Sequence, residues 1–233
     1  MTRWALLVWA VCAALPAVAA AQSDSNLIPA ARKFTSPERF VIELRGGPYS
    51  ASGDDSGAYD KFFGSDSGPF LGFQLSYISY RLPDILLVTA GGGFGWTSLS
   101  GAAVARTSGQ TVDEETTLFL LPLAAVASVR LDVLARKFKF PLTVAGKVGF
   151  QWTHWDAETG GRNDASGWAL GPLLGGQLAL DLDVFDGAAA RSMDEEWGIN
   201  HSFFFFEVYH FFTTEKSLPI GGTNWVLGLG FVF

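Results

Sequence analysis

The stretch T-N-W-V-L-G-L-G-F-V-F, residues 223–233, carries the architecture of the whole chain. Side chains alternate across an extended strand. Trp225, Leu227, Leu229, Phe231 and Phe233 therefore share one face, and Asn224, Val226, Gly228, Gly230 and Val232 share the other. One face is bulky and apolar; the other is small. Five large apolar side chains on a final strand call for a covering surface outside the chain. About 9 to 11 residues is also the strand length that crosses a bilayer when tilted. The expectation is a lipid-facing strand of a β-barrel.

The same alternation recurs upstream. Phe40, Ile42 and Leu44 oppose Arg39, Val41, Glu43 and Arg45, while Leu71, Phe73, Leu75 and Tyr77 oppose Gly72, Gln74 and Ser76. Leu86, Val88, Ala90, Phe94 and Trp96 oppose Thr89, Gly91, Gly93, Gly95 and Thr97. Residues 117–131 are apolar on both faces, and Pro122 argues against a regular ladder there. Leu142, Val144, Val148, Phe150 and Trp152 oppose Thr143, Lys147, Gln151 and Thr153. Trp168, Leu170, Leu174 and Leu178 oppose Gly167, Gly171, Gly175, Gln177 and Asp181. Residues 202–212 embed Glu207 among phenylalanines, and the closing strand makes eight.

The connections sort by side. Polar, Gly/Ser/Asp-rich loops are expected at 50–67, 98–115, 153–166 and 213–222, all at one end. The other end receives a tight turn at Arg81-Leu82-Pro83-Asp84, a basic turn at 131–141 and a short helix within 188–197. Long loops on one side and short turns on the other match a bacterial membrane barrel. Tyr49, Trp96, Trp152, Trp155 and Trp225 sit near expected strand ends, as interfacial aromatics do. The expected fold is all-β: an eight-stranded antiparallel transmembrane β-barrel over 38–233, with long extracellular loops and a short periplasmic helix. A soluble eight-stranded barrel of the lipocalin sort would turn the bulky face inward and overfill a narrow interior.

Composition agrees. The chain begins Met1-Thr2-Arg3, then runs apolar from Trp4 to Ala20 and reaches A-x-A at Ala19–Ala21, which reads as a cleaved signal peptide over 1–21. Residues 22–37 are polar and irregular and read as a periplasmic tether. The single cysteine, Cys12, lies inside the apolar run, so lipidation is not expected and no disulfide staples the exported chain. About 210 residues then remain, enough for one barrel. They carry no later run long enough for a membrane helix, yet the sequence holds 20 Phe, 8 Trp and 27 Gly. A net charge of −7 offers no basic stripe for a phosphate backbone, so nucleic acid is not an expected partner.

Candidate chemistry centres on the lumen. Arg39, Glu43, Arg45, Lys147, Asp181 and Glu207 fall on the inner phase. Buried charges must be paired or hydrogen-bonded, so an ion-pair network is expected, with a narrow solute path as the alternative. An open pore needs about 16 to 18 strands. Catalysis would need a nucleophile within reach of an oriented base. His201 and Ser202 are adjacent and point to opposite faces of a strand, His210 falls on the outward phase, and His154 lies between tryptophans. No catalytic residue, metal site or cofactor is expected. Gly91–Gly95 lacks the Lys-Ser/Thr of a phosphate loop and does not open a helix. Asp54, Asp55, Asp60 and Asp66 lack calcium-loop spacing.

The closing strand, ending in Phe231 and Phe233, resembles the terminal strands of bacterial outer-membrane barrels, which implies recognition by the barrel assembly machinery. S-P-E-R-F-V-I-E-L-R-G-G-P-Y at 36–49 and A-R-S-M-D-E-E-W-G-I-N-H-S-F-F-F-F-E at 190–207 resemble a family of small outer-membrane β-barrel proteins of myxobacteria and their relatives. That resemblance implies fold and location, with no catalytic residue carried over. The functional expectation is an outer-membrane barrel with a structural or complex-forming role in the envelope, not an enzyme. A narrow channel and a lipid-modifying enzyme are the alternatives. Expected partners are outer-membrane lipid, the assembly machinery and other envelope proteins through 187–200.

Overall fold

The computed structural model describes residues 37–50, 67–83, 85–104, 111–138, 140–160, 162–213 and 220–233. The expected signal peptide, nearly all of the tether, most of the first and fourth loops, and Asp54, Asp55, Asp60 and Asp66 lie outside the described residues.

Eight strands form one closed antiparallel barrel in sequence order. They are β1 (Phe40–Tyr49), β2 (Gly68–Leu82), β3 (Leu86–Val104), β4 (Thr111–Leu131), β5 (Leu142–Thr159), β6 (Arg162–Asp181), β7 (His201–Phe211) and β8 (Gly222–Val232). Among the described residues two helices, α1 (Val133–Lys137) and α2 (Gly187–Trp197), lie in the connections at the end where β1 begins and β8 finishes. We call this the terminal end and the opposite one the hairpin end. The barrel closes where β1 meets β8, from Val41–Val232 to Gly46–Leu227. Beyond that ladder, the Phe40 N–H donates to the Phe233 carbonyl (2.9 Å) and the Phe233 N–H donates back to that of Phe40 (2.8 Å).

Alternation places one phase of each strand outward. Leu44, Leu71, Phe94, Val129, Val148, Leu174, Phe204 and Leu227, one from each strand, are all exposed. The opposite phase is buried, and it is more aromatic than the sequence pattern suggested. Phe70, Phe203, Phe205, Tyr209 and Phe211 all point inside. Glycine makes room for them. A Cβ on Gly230 would strike the Phe203 ring, and one on Gly228 would strike the Phe205 ring. Each glycine is the direct cross-strand partner of its phenylalanine.

Two expected loops are largely strand. β3 continues to Val104 and β4 begins at Thr111, so most of 98–115 extends the ladder. In the third connection Thr159 pairs with Arg162. Only two residues intervene, and Gly160 takes the left-handed backbone (φ 58°) that a two-residue hairpin requires. Polar composition misled there because a strand projecting past the apolar zone has no reason to alternate. Pro122 does lie within β4 and pairs with Thr153 of β5. On its other side the β3–β4 ladder jumps from Phe94–Leu123 to Thr97–Leu120, as expected where a residue lacks an N–H. Helix α2 covers the expected segment. The Asp186 carboxylate accepts the N–H groups of Ala188 and Ala189, and Gly198 ends the helix at φ 70°.

Candidate functional site

The centre of the lumen is a charge cluster assembled from six strands. Lys147 on β5 donates from Nζ to Glu43 Oε2 on β1 (2.6 Å) and to Glu207 Oε2 on β7 (2.7 Å). Arg45 on β1 donates to Glu43 (2.8 Å), to Glu207 (3.3 Å) and to Gln74 Oε1 on β2 (2.7 Å). Gln177 on β6 donates to Glu43 Oε1 (2.9 Å). Arg130 on β4 lies 3.8 Å from the same oxygen and stacks its guanidinium 4.0 Å from the centre of the Phe203 ring. Three cations thus face two carboxylates. Lys147, Glu43 and Glu207 are no more than 3 % exposed.

Register explains how long side chains meet in so narrow a space. Lys147 pairs with Gly175, Arg45 with Gly72 and Gly228, and Glu43 with Gly230. Each of these three has a neighbour with no side chain to compete for the lumen. A buried ion pair relies on several such contacts, since desolvating each charge costs several kcal/mol, on the order of its Coulombic return.

Of the inner-phase charges read from the sequence, Glu43, Arg45, Lys147 and Glu207 come together here. Arg39 does not. It precedes β1 and is exposed, because the ladder begins at Phe40. Asp181 keeps the inward phase but closes β6, where its carboxylate accepts the Asp183 N–H (3.0 Å). The sequence pattern places Arg130 beside a basic turn, and Gln74 and Gln177 only among inner-face polars. The missed signal in Arg130 is that it continues the phase of Val126 and Ser128.

The aromatics divide too. Trp96, Trp152 and Trp225 are exposed on the outer face. Tyr49 is not interfacial. It shares the inward phase of Glu43 and Arg45, is buried, and donates its hydroxyl to the Ile220 carbonyl. Trp155 also turns inward, in phase with Thr153, and packs against the core. Phe231 is half-buried on the outer face, and Phe233 supplies the seam hydrogen bonds.

A second polar cluster lies at the terminal end. Asp183, between β6 and α2, accepts from His201 Nδ1 (2.7 Å), from the Ser202 N–H (3.1 Å) and from Ser202 Oγ (3.1 Å). Glu38 pairs with Arg81 and lies 3.7 Å from His201 Nε2. Burial pushes the Glu38 carboxyl up, but its interactions with His201 and Arg81 outweigh this and hold it down at about 2. The adjacent His201 and Ser202 both reach Asp183 because that residue sits in a turn beside the strand rather than on one face of it. Donor atoms of Asp181, Asp183 and His201 lie within 4.8 Å of one another, a grouping the sequence spacing did not announce. His154 lies 3.3 Å from Asp156 and meets Trp168 edge to face, ring centres 4.8 Å apart, and His210 bonds Thr223 Oγ1 (2.8 Å).

No protein-family model matches the chain, and no curated protein matches it in sequence. Its backbone is similar to that of solved barrels. Ail, the attachment invasion locus protein of Yersinia pestis solved with the heparin analogue sucrose octasulfate, is 11 % identical, covering 84 % of this chain and 97 % of that one at TM-score 0.45. Neisserial surface protein A is 10 % identical, with 84 % and 96 % covered and TM-score 0.45. A major outer membrane protein from Thermus thermophilus is 15 % identical, with 84 % and 99 % covered and TM-score 0.42. The barrel assignment rests on the strand ladders of this chain themselves.

Proposed function

We propose that this protein is a non-conducting outer-membrane barrel with a structural or complex-forming role in the cell envelope. One observation carries the reading: the barrel is apolar on its outer surface and closed by ion pairs at its centre. A closed barrel leaves no unpaired edge, which is what a strand-built span needs in lipid. The terminal end, with its helices, faces the periplasm, and the hairpin end faces outward. The likeness of residues 36–49 and 190–207 to small myxobacterial barrels belongs to this proposal. So do recognition of the closing strand by the assembly machinery and docking of an envelope partner on 187–200. The narrow-channel reading is the weaker one, since Lys147 and the two glutamates block the axis and Phe205 is fully buried. The test is planar-bilayer recording on refolded, heat-modifiable protein. No unitary conductance is expected, and discrete openings would replace this reading with the channel.

A further inference from the structure

The lumen is closed at the level of Glu43, but it is not filled on the hairpin side of that level. A cavity there is lined by Arg45, Gln74 and Gln151 on its polar side and by Phe70 and Leu173 on its apolar side. Two further lining residues, Phe73 and Phe94, belong to the outer face. They are cross-strand partners with ring centres 5.7 Å apart, and Phe94 is 55 % exposed. The lining of the cavity thus draws on both faces of the barrel wall at β2 and β3. Gly93 and Gly95, inward on β3, place no side chain in the way, and beside them the β3–β4 ladder is broken at Pro122.

From this geometry we infer that the cavity is a binding site, entered sideways from the bilayer, for the carboxylate end of a single-chain amphiphile such as a free fatty acid. Charge favours an anion. Three cations face two carboxylates in the cluster, and the buried Nε of Arg45 has no hydrogen-bond partner among the described residues. Size favours a small head. The cavity volume of about 40 Å³ holds roughly three waters at about 10 to 15 Å³ each, enough for a carboxylate but not for a phospholipid headgroup. The Phe73 and Phe94 rings give an attached hydrocarbon chain an apolar exit. The inference rests on the reading that the outer face meets lipid.

The experiment uses the refolded full barrel in neutral detergent, titrated with dodecanoate, dodecanol and acetate and followed by native mass spectrometry. One dodecanoate per barrel is expected, with dodecanol at least tenfold weaker and equimolar acetate unable to compete. Ala124→Leu lines the cavity outside the ion-pair cluster and should weaken dodecanoate at least tenfold while the heat shift persists. Arg45→Gln should remove the preference for dodecanoate over dodecanol. Equal binding of acid and alcohol to the wild-type barrel would overturn the inference on its own, whatever the variants do. Competition by acetate would make the site a water-side anion site and refute lateral entry. Unchanged binding in a folded Ala124→Leu barrel would place the ligand elsewhere. Quenching of tryptophan fluorescence by brominated phospholipid tests the membrane reading separately. Without quenching that reading falls, however dodecanoate binds.

Discussion

Among single residues, Lys147 is the side chain on which the lumen depends. It bridges Glu43 and Glu207 at 2.6 and 2.7 Å, and removing it takes from each of these buried carboxylates its shortest ion-pair contact. Breaking a buried pair from one side costs about 3 to 5 kcal/mol. Lys147→Met should lower stability by about that amount in urea titrations of the reconstituted barrel. Adding Glu207→Gln should restore part of the loss, and a strictly additive double variant would show that the pair is not coupled. Glu38 gives a pH dependence of known sign. Its folded-state carboxyl lies at about 2 against an ordinary 4.5. Its stabilising contribution is therefore complete above the ordinary value and fades as pH falls from there toward 2. Wild type should be more stable than Glu38→Gln at pH 7, and the two should converge near pH 2. A gap that stays constant across that range would mean the pairing with Arg81 and His201 contributes nothing through charge.

Among the elements, the closing strand and β7 fit as ring against glycine. Gly230→Ala would drive a methyl group into the Phe203 ring. Overpacking of this kind costs about 1 to 3 kcal/mol, and Phe203→Leu in the same chain should recover much of it. Slower refolding or a lower unfolding midpoint for Gly230→Ala alone, relieved in the double variant, is the expected pattern. Helix α2 tests a different idea. Replacing Gly187–Gly198 with a short turn should leave a heat-modifiable barrel, because α2 supplies no strand to the closed sheet, but should remove proteins that co-purify from crosslinked outer membranes. A variant that keeps every such partner would end the docking proposal.

Across the barrel as a whole, strand lengths are unequal. β3 to β6 run 18 to 21 residues, against 10 or 11 for β1, β7 and β8. The shorter strands match the roughly 9 to 11 residues that cross a bilayer when tilted, and the longer ones project past it at the hairpin end. Brominated phospholipid should therefore quench Trp225 and Trp96, on the outer face, more strongly than the inward Trp155. Single-tryptophan variants would measure this. Equal quenching at all three positions would contradict the placement of the belt.

Eight strands, their phase, the helix near 190 and the inward placement of Glu43, Arg45, Lys147 and Glu207 are all legible in the residues alone. They follow from a period of two, which any strand exposes to a reader. Which inward residues meet is settled by the folded barrel. Arg130 joins the cluster because β4–β5 register sets it beside Ala145 and within reach of Glu43, while Arg39 is left outside because the ladder starts one residue later. Tyr49 and Trp155 have the position of interfacial aromatics near strand ends, yet their parity turns them inward. Where 98–115 and 153–166 read as loops, pairing carries the strands onward, since backbone hydrogen bonds between neighbours need no apolar alternation. Phase is local and can be read from a sequence. Register and closure are relations between distant strands, and only the closed barrel fixes them.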